Sequence, residues 1–161
     1  MTPRLVTLDG KRVVGMRGRM SLARDRTREL WQAFMPRRGE VRGRIGRGYL
    51  SMQIFDRPPD QGFTSDTPFE KWAAVEVAEF DAVPPGMEGC TLPPGDYAVF
   101  VHRGPAAIFG QTLHRIFRVW LPSSGYTLDD RPHFTVMGEN HRSDDPDGEE
   151  EIWIPVRRDR P

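Results

Sequence analysis

Apolar and polar positions along this chain alternate in two rhythms, and the pair of rhythms occurs twice. Lys11–Gly18 alternates with period two around Val13 and Val14, which predicts a half-buried strand. A helical spacing follows, with Leu30, Trp31 and Phe34 on one face, Ser21 ahead as a cap, and Pro36 and Gly39 as stops. Arg47–Phe55 and Trp72–Glu79 return to strand patterns, separated by the polar loop Arg57–Pro68. Asp81–Gly95 holds four prolines and three glycines and reads as a joint. Beyond it, Asp96–Arg103 is a predicted strand, and Gly104-Pro105 opens a helix that ends at Pro122–Gly125. In that helix Phe109, Leu113, Ile116, Phe117 and Trp120 recur at helical spacing. His133–Glu139 is a strand, Asn140–Gly148 a solvated hairpin loop, and Glu150–Val156 the closing strand.

The two halves match in register. Val13-Val14, Arg17-Gly18, Leu30-Trp31, Phe34, Met35-Pro36 and Gly39 meet Val99-Phe100, Arg103-Gly104, Ile116-Phe117, Trp120, Leu121-Pro122 and Gly125 at a constant offset of 86. Trp72–Val75 meets Trp153–Val156 at an offset of 81, which sets Glu70 against Glu151. The expected organisation is one domain over 1–161: repeat one 4–80, joint 81–95, repeat two 96–157 and a frayed tail 158–161. Each repeat is strand–helix–strand–strand, an α+β class with antiparallel sheets. The helices should lie on one side of the strands with Leu30, Phe34, Ile116 and Trp120 buried, and a pseudo-twofold axis should leave a cleft between the repeats.

Composition narrows the function classes. At 161 residues with 23 basic and 23 acidic side chains, the chain can bury a real core and has no net charge to draw a polyanion. Direct nucleic-acid binding is therefore not expected. Lys11 and Lys71 are the only lysines. Cys90 stands alone, which excludes a disulfide framework and a cysteine zinc site. The start MTPRLVTLDGKRVV has no hydrophobic signal region and no apolar stretch approaches the ~20 residues of a membrane span, so a cytoplasmic protein without membrane contact is expected.

Glu151 is the leading candidate for chemistry. In EEIWIPV, alternation puts Ile152 and Ile154 on one face and Glu151 with Trp153 on the other. The isoleucines should pack under the helices, leaving a carboxylate and an indole facing the groove. Aromatic walls with a counter-charge suit a lipophilic cation, and partial burial would equip the carboxyl as a general acid or base. The alternative place for Glu151 is the solvated end of the acidic run Asp144–Glu150. Tyr49, Trp72 and Phe134 lie on strands open to the groove, whereas Trp31, Phe34, Phe109, Phe117 and Trp120 sit at core spacing on helices. His102, His114, His133 and His141 form no HExxH-type pair, so no metal site is expected. DDPDGEEE lacks the ligand spacing of a calcium loop, Arg42–Arg47 is a short basic turn, and no GxSxG or phosphate-cradling glycine loop is present. Cys90 lies in the joint without an evident histidine base.

LPPGDYAVFVHRG, a helix ending in WLPSSGY, DDRPHFTVMGE and EEEIWIPV together resemble the GyrI-like (gyrase-inhibitor-like) effector-binding domain. That bacterial family occurs free-standing and as the ligand-sensing module of AraC-type and MerR-type multidrug regulators, and the resemblance covers essentially the whole chain. It implies two SH2-like strand–helix–strand–strand repeats about a pseudo-twofold axis, with the ligand in the cleft between them. It also implies that the glutamate opening the E-I-x-I-P strand, here Glu151, meets cationic aromatic ligands, with Trp153 where tyrosine is frequent. The resemblance brings no cofactor. No helix-turn-helix is expected ahead of the first strand, and the first repeat departs further from the family pattern than the second.

Three functions compete on this reading. The first is a binder of lipophilic, cationic or aromatic small molecules through Glu151, Trp153, Trp72, Tyr49, Phe134 and His102. The second is a hydrolase of electrophilic, cyclopropane-type toxins with Glu151 as its catalytic group. The third is an interaction protein that modulates DNA gyrase or a separate regulator. The same double-repeat architecture resembles haem-binding domains of the SOUL type, for which His102 is the one candidate ligand.

Overall fold

A computed structural model of the chain describes residues 2–142 and 144–159. Period-two segments carry the architecture: nine strands join into one antiparallel sheet, and two short helical stretches lie against it. In chain order the strands are β1 (Arg4–Leu8), β2 (Lys11–Met20), β3 (Tyr49–Phe55), β4 (Phe69–Val77), β5 (Glu88–Leu92), β6 (Gly95–Arg103), β7 (Tyr126–Leu128), β8 (His133–Met137) and β9 (Glu149–Arg158). The order across the sheet is β1-β6-β9-β8-β3-β4-β2-β5, and β7 pairs with the far end of β9. This is an α+β fold with an antiparallel sheet and few helices.

Helix α1 spans Thr27–Phe34 and tightens into a 3-10 segment, Met35–Glu40, where Pro36 removes a donor. Helix α2 is Phe109–His114; it widens into a π-helical stretch, Arg115–Trp120, and closes with one α turn, Leu121–Ser123. Alternation along the strands sorts side chains to two faces. On the helix-bearing face, Phe34 packs with Val14, Tyr49, Ala73, Val75, Val77 and Met87, and Leu30 and Trp31 join that cluster. A second cluster on this face sets Ile116 and Leu121 against Ala98, Phe100, Ile152, Ile154 and Val156, with Phe117 and Trp120 alongside. The helix-free face closes on itself around Val13, Leu50, Met52, Trp72, Leu92, Tyr97, Val99, Phe134 and Trp153. Residues from β2 and β5 meet residues from β6 there, so the sheet is strongly curled.

Several local expectations are corrected. Ser21 does not cap α1: its Oγ accepts the Arg24 N–H at 3.2 Å, and Asp25 Oδ1 accepts the first helical N–H, of Thr27, at 2.9 Å. The joint 81–95 is not strand-free, because β5 runs through Cys90 and pairs with Lys11–Gly15. Strands β1 and β7 were also absent from the pattern. The tail is not frayed at its start, since β9 extends to Arg158; Arg160 and Pro161 lie outside the described residues, as does Ser143 of the hairpin loop. No helix among the described residues is long and apolar enough to cross a membrane.

Candidate functional site

Strand β9 carries Glu151 and its neighbour Glu150, and alternation sends them to opposite faces. Glu151 points to the helix-free side with Trp153, as the spacing in EEIWIPV predicts, while Ile152 and Ile154 pack under α2. That helix-free side is filled. Trp153 is 9% exposed and stacks on Phe134 with ring centroids 5.1 Å apart, and Phe134 and Trp72 are buried as well. Glu151 sits at the rim, where Arg4 Nη2 donates to Oε2 at 3.0 Å and the Trp153 indole N–H donates to Oε1 at 3.3 Å. Lys11 Nζ, 3.3 Å from Glu76 Oε1, stands 5.7 Å over Phe134 and 5.9 Å over Trp153. The cation seats beside these rings are thus taken by the chain's own side chains.

Tyr49 and His102 belong to the other face, so the expectation that they share a groove with Glu151 does not hold. Tyr49 lies one step out of phase with Leu50 and Met52; it packs edge-on to Trp31 with centroids 6.0 Å apart, under Arg44 at 4.7 Å. His102 is buried beside Phe109, and both its nitrogens are engaged. Nε2 can only donate to the Pro105 carbonyl at 3.3 Å, so in the neutral ring Nδ1 accepts from Thr112 Oγ1 at 2.7 Å. A histidine with both nitrogens committed is a structural group, not a free metal or haem ligand.

The residue that the alternation argument passed over is Glu150. It lies on the helix-bearing face, paired in register with His102 on β6 and Met137 on β8. It therefore stands in the seam between the α1 cluster, which includes Met137, and the α2 cluster, which includes Ile152. Burial pushes its carboxyl pKa up, opposed by His141, His102 and Lys71. The nearest of these, His141 Nε2, is 3.9 Å from Oε2. The floor of the seam continues through Ser51, Thr135 and His133, all buried, and through half-buried Gln53 and Lys71. Its aromatic neighbours are Phe55, 5.0 Å from the His133 ring, and Phe117, 6.3 Å from it.

Two hollows are prominent, and neither is lined by Glu150 or Glu151. One of about 70 Å³ lies among Phe55, Pro58, Arg131 and His133. The other, of about 350 Å³, opens on the helix-free side between Arg17, Arg19, Glu70 and Glu88. In the second, Glu70 repeats the arrangement at Glu151: the Trp72 indole N–H donates to Oε1 at 2.6 Å and Arg17 approaches Oε2 at 3.5 Å. Among the described residues no three His, Cys, Asp or Glu side chains converge as a metal site would require.

The chain belongs to the GyrI-like small-molecule-binding domain family, whose model matches residues 1–157. It is 28% identical over 160 residues to the transcriptional regulator BrlR of Pseudomonas aeruginosa, a match covering 97% of this chain and 56% of BrlR. The chain thus spans about half the length of that regulator. Among solved structures, its fold is similar to a Staphylococcus aureus MU50 protein described as a bacterial transcription regulation protein, with TM-score 0.72, 18% identity and coverage of 98% and 99% of the two chains. It is similar also to SAV2435 bound to tetraphenylphosphonium, with TM-score 0.68, 18% identity and coverage of 98% and 94%.

Proposed function

We propose that this chain binds lipophilic organic cations in the seam between its two helix-covered clusters, with Glu150 as the counter-charge. The observation that carries this reading is Glu150 itself: a half-buried carboxylate whose ionised form is penalised by burial and whose nearest basic side chain, His141, is 3.9 Å away. Such a group gains most from a cation that leaves water cheaply. A charge spread over aromatic rings does so. The tetraphenylphosphonium bound to SAV2435 is a ligand of this class.

The sheet order supports reading the chain as two repeats. Strands β6-β9-β8 and β3-β4-β2 stand as reversed triplets that meet at β8 and β3, with β1 outside β6 and β5 outside β2. On this reading each repeat opens with its own short edge strand. Repeat one is 4–80, and repeat two begins at β5 rather than at 96, with the seam at their junction.

The test is a titration with tetraphenylphosphonium. Glu150→Gln should weaken binding by ten- to hundredfold, the worth of a charge-assisted contact of about 1.5–3 kcal/mol. Glu151→Gln, on the packed face, should leave it unchanged. Failure of the unaltered protein to bind, or equal loss in both variants, overturns the assignment.

The same groups favour one second reading, hydrolysis of an electrophilic ligand. A carboxyl whose pKa is raised by burial, beside His141, is suited to proton transfer. Ring opening of cyclopropane-bearing alkylators, followed by mass spectrometry and lost in Glu150→Gln, would select it over simple binding.

A further inference from the structure

Strand β2 is flanked on both sides along only half of its length. On one side β4 pairs with Arg12–Met20; on the other β5 pairs with Lys11–Gly15 and ends there. Met16–Met20 therefore have one partner strand, and among the described residues no backbone hydrogen bond from outside the β4 ladder reaches them. Alternate residues of a strand turn their N–H and C=O to opposite sides, so this stretch offers an unpaired row of donors and acceptors.

The side chains along this edge leave room for a neighbour. The hollow of about 350 Å³ lies against it, walled by Arg17, Gly18, Arg19, Glu70 and Glu88. Its charges answer one another: Arg17 pairs with Glu88 and lies 3.5 Å from Glu70, and Arg19 pairs with Asp56. A side chain entering there meets neutralised hydrogen-bonding groups, which suits an uncharged polar residue. On the opposite face nothing lies within 4 Å of where a Gly18 Cβ would be. The chain itself shows what covers such a glycine. Gly89 of β5, across from Val14 on that same face, carries the Phe80 ring 2.7 Å from its Cβ position.

We propose that Met16–Met20 receives an extended peptide segment of another protein as an added antiparallel strand in line with β5. An aromatic side chain of the segment lies over Gly18, and uncharged polar side chains stand opposite Arg17 and Arg19. Main-chain hydrogen bonds hold the segment, and the alternating side chains fix its register. A second copy of this chain fits less well. Pairing centred on Gly18 would set Arg17 of one copy directly against Arg19 of the other, and like charges in that position repel. So short an edge also buries far less than the ~1,200 Å² of a stable interface.

The probe is the blocked peptide acetyl-Lys-Val-Thr-Phe-Thr-Val-Lys-amide, whose terminal lysines keep it soluble. Titrated into the full chain, it should slow amide hydrogen exchange, read by NMR, at alternate residues of Met16–Met20. Replacing its phenylalanine by alanine should weaken binding roughly tenfold. Two further peptides are methylated on two backbone nitrogens each, one on both threonines, the other on the phenylalanine and the second valine. One set faces β2 and the other faces away, so one peptide should lose roughly tenfold in affinity and the other little. Contact through side chains alone would make the two methylated peptides equal, and that result overturns the proposal. So does the absence of binding at about 1 mM peptide, an affinity of only about 4 kcal/mol. Protection confined to other strands, or to Met16–Met20 in a dimer that forms without peptide, overturns it as well. Tetraphenylphosphonium has no peptide groups, so its binding is decided separately.

Discussion

At the scale of single residues, burial sets protonation and protonation sets stability. His133 lies among Phe55 and Phe117 on the seam floor, and burial followed by the nearby Arg131 charge lowers its pKa to about 3. In the unfolded chain the imidazole protonates near 6.5, whereas in the folded protein it stays neutral until far lower pH. The unfolded state then binds the extra proton, so this contribution is complete above pH 6.5 and is lost as pH falls toward 3. The slope approaches about 1.4 kcal/mol per pH unit inside that window. Urea unfolding at pH 7, 5.5 and 4.5 should show this loss, and His133→Gln should flatten it. An unchanged slope in the variant would assign acid sensitivity to other groups. The contrast between Glu150 and Glu151 belongs to this scale too. Alternation correctly told which residues share a face, but it carries no information on which face the rest of the chain will fill. Trp153, Phe134 and Trp72 suggested a binding wall; in the fold they are core, and Glu151 is held at its rim by Arg4.

At the scale of elements, legibility followed length and regularity. The long alternating runs of β2, β4, β6 and β9, and the helical spacing of Leu30–Phe34 and Phe109–Trp120, were visible in the sequence. RLVTL and EGCTL, the segments of β1 and β5, are too short and too polar to stand out, and become strands only because β6 and β2 offer free edges to pair with. Glycines within β2 were equally opaque. Gly15 and Gly18 look alike in sequence, yet a Cβ at Gly15 would fall 2.0 Å from the Ala73 carbonyl oxygen and 2.6 Å from Ala74 Cα, while one at Gly18 meets nothing within 4 Å. Gly15→Ala must therefore push β2 away from β4 and should cost roughly 1–3 kcal/mol or more. Gly18→Ala should change stability by less than about 1 kcal/mol. Chemical denaturation of the two variants checks this, and equal costs would contradict the close approach of the strands.

At the scale of the whole molecule, the edge strands tie the halves together. Strand β1, at the start of the chain, does not pair with β2, its neighbour in sequence; it pairs with β6 through Arg4–Leu8 against Gly95–Val99. Strand β5, which leads into β6, pairs instead with β2 through Glu88–Leu92 against Lys11–Gly15. Each half thus supplies an edge strand to the other, and β3 joins β8 along the centre. The helix-free core depends on the same exchange, since Val13 and Leu50 pack in one cluster with Tyr97 and Trp153. Neither half can lose its structure without exposing apolar surface and unpaired strand edges in the other, which makes separate unfolding costly. The four tryptophans divide evenly, Trp31 and Trp72 against Trp120 and Trp153, so each half can be followed by replacing the other half's pair with phenylalanine. Both reporters should give one denaturation midpoint, coincident with far-UV circular dichroism. Two separated midpoints would mean that the exchanged strands do not couple the halves.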